Sequence, residues 1–172
     1  MAVTLIAHTE VGSGGAANIE FTSIPGTYDD LWLQLSIRLT TAGTYVSTVA
    51  VQVNSTTTGY SNTTLKGYGT TSASDRDTNQ SYWRTIQPAA TATASTFGSF
   101  DIYIPAYKNT SNFKQLVTNY TAENNDSSNY QLGGIAGLWR NTAAITSIKI
   151  YEQSSNNLAQ YSTATLYGVK KF

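Results

Sequence analysis

The chain has no cysteine. Disulfides, thiolate metal sites and cysteine nucleophiles are therefore ruled out. It has one histidine, His8, so a multi-histidine metal centre is ruled out as well. Charged residues make up 12% of the sequence, about half the usual share. Ten basic residues balance ten acidic ones, and the basic residues are scattered, with Lys170–Lys171 the one adjacent pair. A phosphate backbone is held by clustered Lys and Arg; nucleic-acid binding is not expected. No apolar run nears the roughly 20 residues of a membrane span, and Met1-Ala2-Val3-Thr4 lacks the basic-then-apolar pattern of a secretory leader. Neither a membrane partner nor a signal peptide is expected.

What replaces the charge is neutral and polar. Ser, Thr and Asn form about a third of the 172 residues. Such a surface loses little when covered by a partner, because few charges must be desolvated. Six Asn-x-Ser/Thr triplets, starting at Asn54, Asn62, Asn79, Asn109, Asn119 and Asn125, follow from that composition and are not read as glycosylation sites.

Two-residue alternation dominates the pattern. In Leu31-Trp32-Leu33-Gln34-Leu35-Ser36-Ile37-Arg38-Leu39, five aliphatic residues share one face of a strand; a helix would scatter them. Val49, Val51 and Val53 repeat the pattern, as do Phe100, Ile102 and Ile104, with Asp101 and Tyr103 facing outward. Ile148 and Ile150 do the same between Ser147, Lys149 and Tyr151. Further strands are expected at 3–9, 18–24, 60–67, 82–87, 113–120, 131–139 and 158–169, where β-branched and aromatic residues concentrate. Turns fall at Gly12-Ser13-Gly14-Gly15 and Pro25-Gly26, and polar loops at 55–59, 70–79, 124–129 and 154–157. The Ala/Thr-rich stretch 89–94 reads as an extended connection. The whole chain, 1–172, reads as one all-β domain of about ten antiparallel strands: a β-sandwich of jelly-roll type.

Catalytic signatures are sparse. No Gly-x-Ser-x-Gly elbow surrounds a serine. Glu20 and Asp101 are the acidic residues on well-formed strands, with nothing to set them opposite each other as a glycosidase pair. Asp75-Arg76-Asp77-Thr78-Asn79 alternates oxygen ligands as calcium loops do, but lacks the turn glycine and distal glutamate; it reads as a solvated loop. No enzyme activity, cofactor or metal is expected. The aromatics are the unusual feature, with 12 Tyr, 5 Phe and 3 Trp. Trp32, Tyr45, Tyr60, Tyr68 and Tyr151 fall at outward or loop positions. So do Tyr82, Trp83, Arg84, Tyr103 and Tyr107, the candidate protein interface, in which Tyr82-Trp83-Arg84 joins three residue types common at hot spots.

An ordered set of segments resembles a known family. It runs from Gly12-Ser13-Gly14-Gly15-Ala16-Ala17-Asn18-Ile19-Glu20-Phe21-Thr22-Ser23-Ile24-Pro25 through Thr27-Tyr28-Asp29-Asp30-Leu31. It continues with Phe97-Gly98-Ser99, Ile102-Tyr103-Ile104-Pro105, Tyr107, Ala136-Gly137-Leu138-Trp139 and Asn141-Thr142-Ala143-Ala144-Ile145-Thr146-Ser147-Ile148. It closes with Gln160-Tyr161-Ser162-Thr163-Ala164-Thr165-Leu166-Tyr167-Gly168. Together these resemble small virion-surface proteins of tailed bacteriophages, cyanophages among them; residues 40–94 match least. The resemblance implies a jelly-roll domain on the capsid surface: a decoration (cement) protein, homotrimeric, clamping neighbouring copies of the major capsid protein. The alternative it leaves open is a fibre or receptor-binding module that recognises a host surface glycan.

Overall fold

The computed structural model describes residues 1–126 and 130–171, and all its regular elements are strands. Twelve strands form two antiparallel sheets. The larger contains β1 (Ala2–Glu10), β3 (Asp30–Ile37), β5 (Tyr60–Tyr68), β6 (Thr71–Gln80), β8 (Gly98–Ile104), β9 (Lys114–Ala122), β10 (Gln131–Trp139) and β12 (Thr163–Lys170). The smaller contains β2 (Asn18–Phe21), β4 (Val46–Val53), β7 (Trp83–Pro88) and β11 (Ile148–Glu152). The large sheet has the order β1-β12-β3-β8-β9-β10-β5-β6 and the small one β2-β11-β4-β7. The chain is a β-sandwich. It crosses between the sheets at almost every connection, and stays in one sheet only for the hairpin β5–β6 and the run β8–β9–β10.

Alternation explains this arrangement. Leu31, Leu33, Leu35 and Ile37 are buried while Gln34 is exposed. In register beside them lie Ile104, Ile102 and Phe100 on β8 and Leu166 and Ala164 on β12. From the small sheet Val49, Val51, Val53, Ile148 and Ile150 complete one core cluster. Each fully buried side chain of this size is worth roughly 1.5–3 kcal/mol. Size matching is close where rings enter. Gly137 faces Trp83 and Leu116, and a Cβ there would stand 2.8 Å and 2.9 Å from them. Gly133 makes the same room for Tyr120, at 2.6 Å.

Three expectations need correction. The stretch 70–79 is the edge strand β6, paired with β5 from Tyr68↔Thr71 to Tyr60↔Gln80. It carries no large apolar residue because both its faces meet solvent or charge, so periodicity could not reveal it. The segment Asp75-Arg76-Asp77-Thr78-Asn79, expected as a solvated loop, is part of this strand. There Asp75 pairs with Lys66 at 2.7 Å, and Asp77 lies 2.7 Å from Arg84. The stretch 89–94 is a series of compact turns, gathered by Arg38. That guanidinium donates to the carbonyls of Ala92, Thr93 and Thr96 at 2.8–2.9 Å and of Ala90 at 3.3 Å. The last strand begins at Thr163, and Leu158 makes isolated bridges to Ala16 and Leu39 instead. The expected loop 124–129 lies partly outside the described residues.

Two buried charged groups, Lys114 and Glu152, are satisfied by the chain itself. The Lys114 ammonium donates to the carbonyls of Asn109, Asn112 and Thr142 at 2.6, 2.8 and 3.0 Å. Burial pulls its pKa below that of an ordinary lysine. Burial would raise the Glu152 carboxyl, but the N–H groups of Asn156 and Ser154 and the Ser47 hydroxyl outweigh it and hold the pKa low.

Candidate functional site

The five residues expected to form an interface do not share a surface. Trp83 is 2% exposed and stands edge-on to Tyr60, with ring centroids 5.3 Å apart. Tyr107 is 0% exposed and donates its hydroxyl to the Pro25 carbonyl. Both are core residues, as is Tyr60: Trp83 on β7 and Tyr60 on β5 pack ring against ring in the core, while Tyr107, in the turn after β8, is tied to Pro25. Tyr82 is half-buried against Tyr151. Arg84 turns to the acidic residues of β6. Tyr103 is half-buried and donates to the Asp30 carboxylate; burial first, and then that bond, push its pKa up to about 12.

A different site is formed by the outer face of the large sheet. A trough of about 1070 Å³ runs from β12 across β3, β8, β9 and β10 to β5. Five interstrand steps of about 4.8 Å make it about 24 Å long. Its walls follow from register: Thr165↔Gln34, Gln34↔Asp101, Asp101↔Asn119, Asn119↔Gly134 and Gly134↔Leu65 place six residues in one row across the sheet. A right-twisted sheet is saddle-shaped, so each face is hollow along one diagonal. Small residues at Ser36, Ser99 and Gly134 deepen that hollow, while Trp32 bounds one part and Leu65 and Leu132 another.

The site is partly held rigid and partly left free. The Trp32 indole donates to Asp101 at 3.3 Å and lies 5.7 Å from the Tyr167 ring, tilted by 36°. His8 Nδ1 lies 2.8 Å from the Thr165 hydroxyl, just beyond the row. Among the described residues, no hydrogen bond engages the side chain of Gln34 or Asn119. Asp101 is, among the described residues, the one charged residue lining the trough. Leu65 and Leu132 are 66% and 65% exposed.

A second, smaller cavity of about 90 Å³ sits between the sheets beside Lys66, Asp75, Arg84 and Tyr120. The buried Tyr120 hydroxyl and Gln131 Oε1 have no hydrogen-bond partner among the described residues. Among the described residues, no three His, Asp or Glu side chains approach closely enough to hold a metal ion. Comparison with protein-family models, with curated proteins and with solved structures finds no match to this chain.

The sequence already marks Trp32, Gln34, Ser36 and Asp101 as outward-facing. It does not mark Asn119, Gly134, Leu65 or Thr165 as their neighbours, because neighbourhood depends on strand order. Alternation within each strand was the available signal.

Proposed function

We propose that the chain is a structural subunit of a phage virion. In this reading it is a capsid decoration protein of jelly-roll type that forms a homotrimer and clamps neighbouring capsid subunits. The observation that carries self-association is the contrast between the two edges of the large sheet. An edge strand offers unpaired N–H and C=O groups, and free-standing proteins blunt such edges with charge. The β6 edge is blunted by Asp75, Arg76 and Asp77. The β1 edge is not blunted by charge: Ala2-Val3-Thr4-Leu5-Ile6-Ala7 carries none over six residues, and its one irregularity is a register shift between Leu5 and Ala7.

Side chains along the same edge point the same way. Val3 and Leu5 are 47% and 56% exposed, and Met1 is more so. At the far end Tyr161 is 61% exposed and held at φ 69°, a conformation a bulky residue adopts at a cost. A second copy is the natural occupant, because covering this edge in every copy removes the hazard of open-ended pairing. The three-fold state and the capsid as the clamped partner rest on the sequence resemblance. The sheet-to-sheet crossings, in the order β2, β3, β4, then the β5–β6 hairpin, then β7 and β8, support the jelly-roll reading. Neutral polar faces suit a subunit that packs against a shell, and many modest clamps add through multivalency.

Light scattering of the purified chain tests the first step. The expected mass is three times the 18.5 kDa of one chain. The double variant Val3→Lys/Leu5→Lys should be monomeric with an unchanged β-sheet circular-dichroism spectrum. Addition to capsids lacking the protein should raise the temperature at which they rupture. A monomeric parent, or capsids that take up none of it, would end this reading.

A further inference from the structure

We infer that the trough on the outer face of the large sheet is a binding site for a neutral, linear saccharide chain. The proposal does not depend on the virion role or on the β1 contact.

Four features select this ligand class. The trough is about 1070 Å³, open, and crosses six strands, so it suits a chain of several rings lying across the sheet. Its polar groups are amides, hydroxyls and one carboxylate, which can exchange hydrogen bonds with sugar hydroxyls in both directions. No Lys or Arg lines it, which disfavours phosphate, sulfate or carboxylate-bearing chains. Trp32 supplies an apolar ring face for the C–H side of a pyranose, and it is pre-set by Asp101 and Tyr167. Gln34 and Asn119, free of internal hydrogen bonds, stand in the same cross-strand row.

Gly134 gives the site its depth. A Cβ built there meets only ordinary contacts, 3.7 Å from Asn119 Oδ1 and 3.9 Å from the Thr118 carbonyl, so the position accepts a side chain. It sits on the outer face of β10, where a β-branched residue suits the strand. Gly134→Val therefore fills the trough without disturbing the core. Asp101 is the one carboxylate present, so the geometry supports binding and not the two-carboxylate cleavage of a glycoside.

Trp32 also provides the readout. Trp83 and Trp139 are buried at 2% and 1% exposure, so a ligand in the trough changes the emission of Trp32 alone. The full chain is titrated with neutral hexasaccharides: β-1,4-glucan, α-1,4-glucan, β-1,4-mannan and chitohexaose. A heparin-derived hexasaccharide serves as the anionic comparison. At least one neutral chain should give a saturable change in Trp32 emission, and the anionic chain none. Binding should weaken by about tenfold or more in Gly134→Val. Calorimetry replaces emission for Trp32→Ala, which should lose binding by a similar factor, with Trp32→Phe intermediate. All three variants should keep the parent's β-sheet spectrum. No saturation by any neutral chain at millimolar concentration would overturn the proposal. So would binding that survives both Gly134→Val and Trp32→Ala, or a preference for the anionic chain.

Discussion

Asp30 shows how much this chain asks of single residues. It is 0% exposed at the start of β3, yet its carboxylate stays ionised. Burial alone would raise its pKa; the Tyr103 hydroxyl, the Ala106 N–H and the Lys171 ammonium outweigh that and lower it. A carboxylate with a depressed folded pKa adds stability above its unfolded value, about 3.9, and that stability drains away as pH falls through the folded value. Thermal unfolding should therefore shift to lower temperature as pH falls below about 4, and less steeply in Asp30→Asn. Tyr103 works at the other limit. Its proton is held up to about 12 in the fold. The stability it adds is complete below about 10, its unfolded value, and is lost as pH rises from there through the folded one. Tyr103→Phe should soften the alkaline decline in melting temperature. Gly137 tests packing, since an added methyl meets Trp83 and Leu116 inside normal contact distance. Gly137→Ala should cost about 1–3 kcal/mol in urea unfolding, whereas a gain in stability would contradict the packing described.

Among the strands of the large sheet, edge and interior behave differently. Strand β6 has one hydrogen-bonded neighbour and almost no buried side chain. Strands β3 and β8 lie inside the sheet with alternate residues fully covered. Amide exchange should therefore be fastest in β6 and slowest in β3 and β8, the latter approaching the global unfolding free energy. The connection 89–97 depends on Arg38, whose planar fork reaches four carbonyls. Charge-assisted bonds of this kind are worth about 1.5–3 kcal/mol. Arg38→Ala should lower stability by about that amount and raise exchange in this connection. Lysine should not restore it, having one rotating ammonium in place of the fork.

Over the whole molecule, tryptophan fluorescence should report two classes. Trp83 and Trp139 lie in the core and Trp32 on the outer face, beside Tyr167. Acrylamide should quench about a third of the emission readily and the rest only on unfolding. Trp32→Phe should abolish the accessible fraction; if it persists, Trp83 or Trp139 is not where the fold puts it. The zero net charge leaves no strong field to keep copies apart. An uncharged β1 edge therefore matters for the solubility of the whole molecule as well as for the sheet.

Alternation by itself determined the all-β class, most strand positions and the inward side of the strands at 31–39, 49–53, 100–104 and 148–150. Those properties follow from the two-residue period of a pleated chain and need no partner strand. Leu31 to Ile37 could be read correctly in isolation for that reason. Strand β6 could not, because an edge strand flanked by charge buries too little to imprint a period. Trp83, Tyr60 and Tyr107 were misplaced outward because their burial comes from partners far away in sequence: Gly137 makes room for Trp83, Trp139 stacks on Tyr60, and the Pro25 carbonyl accepts from Tyr107. The trough is likewise a tertiary product. Gln34, Asp101, Asn119 and Gly134 become neighbours only when β3, β8, β9 and β10 pair in that order. Strand order is set by packing across the whole core, and no local stretch of sequence encodes it.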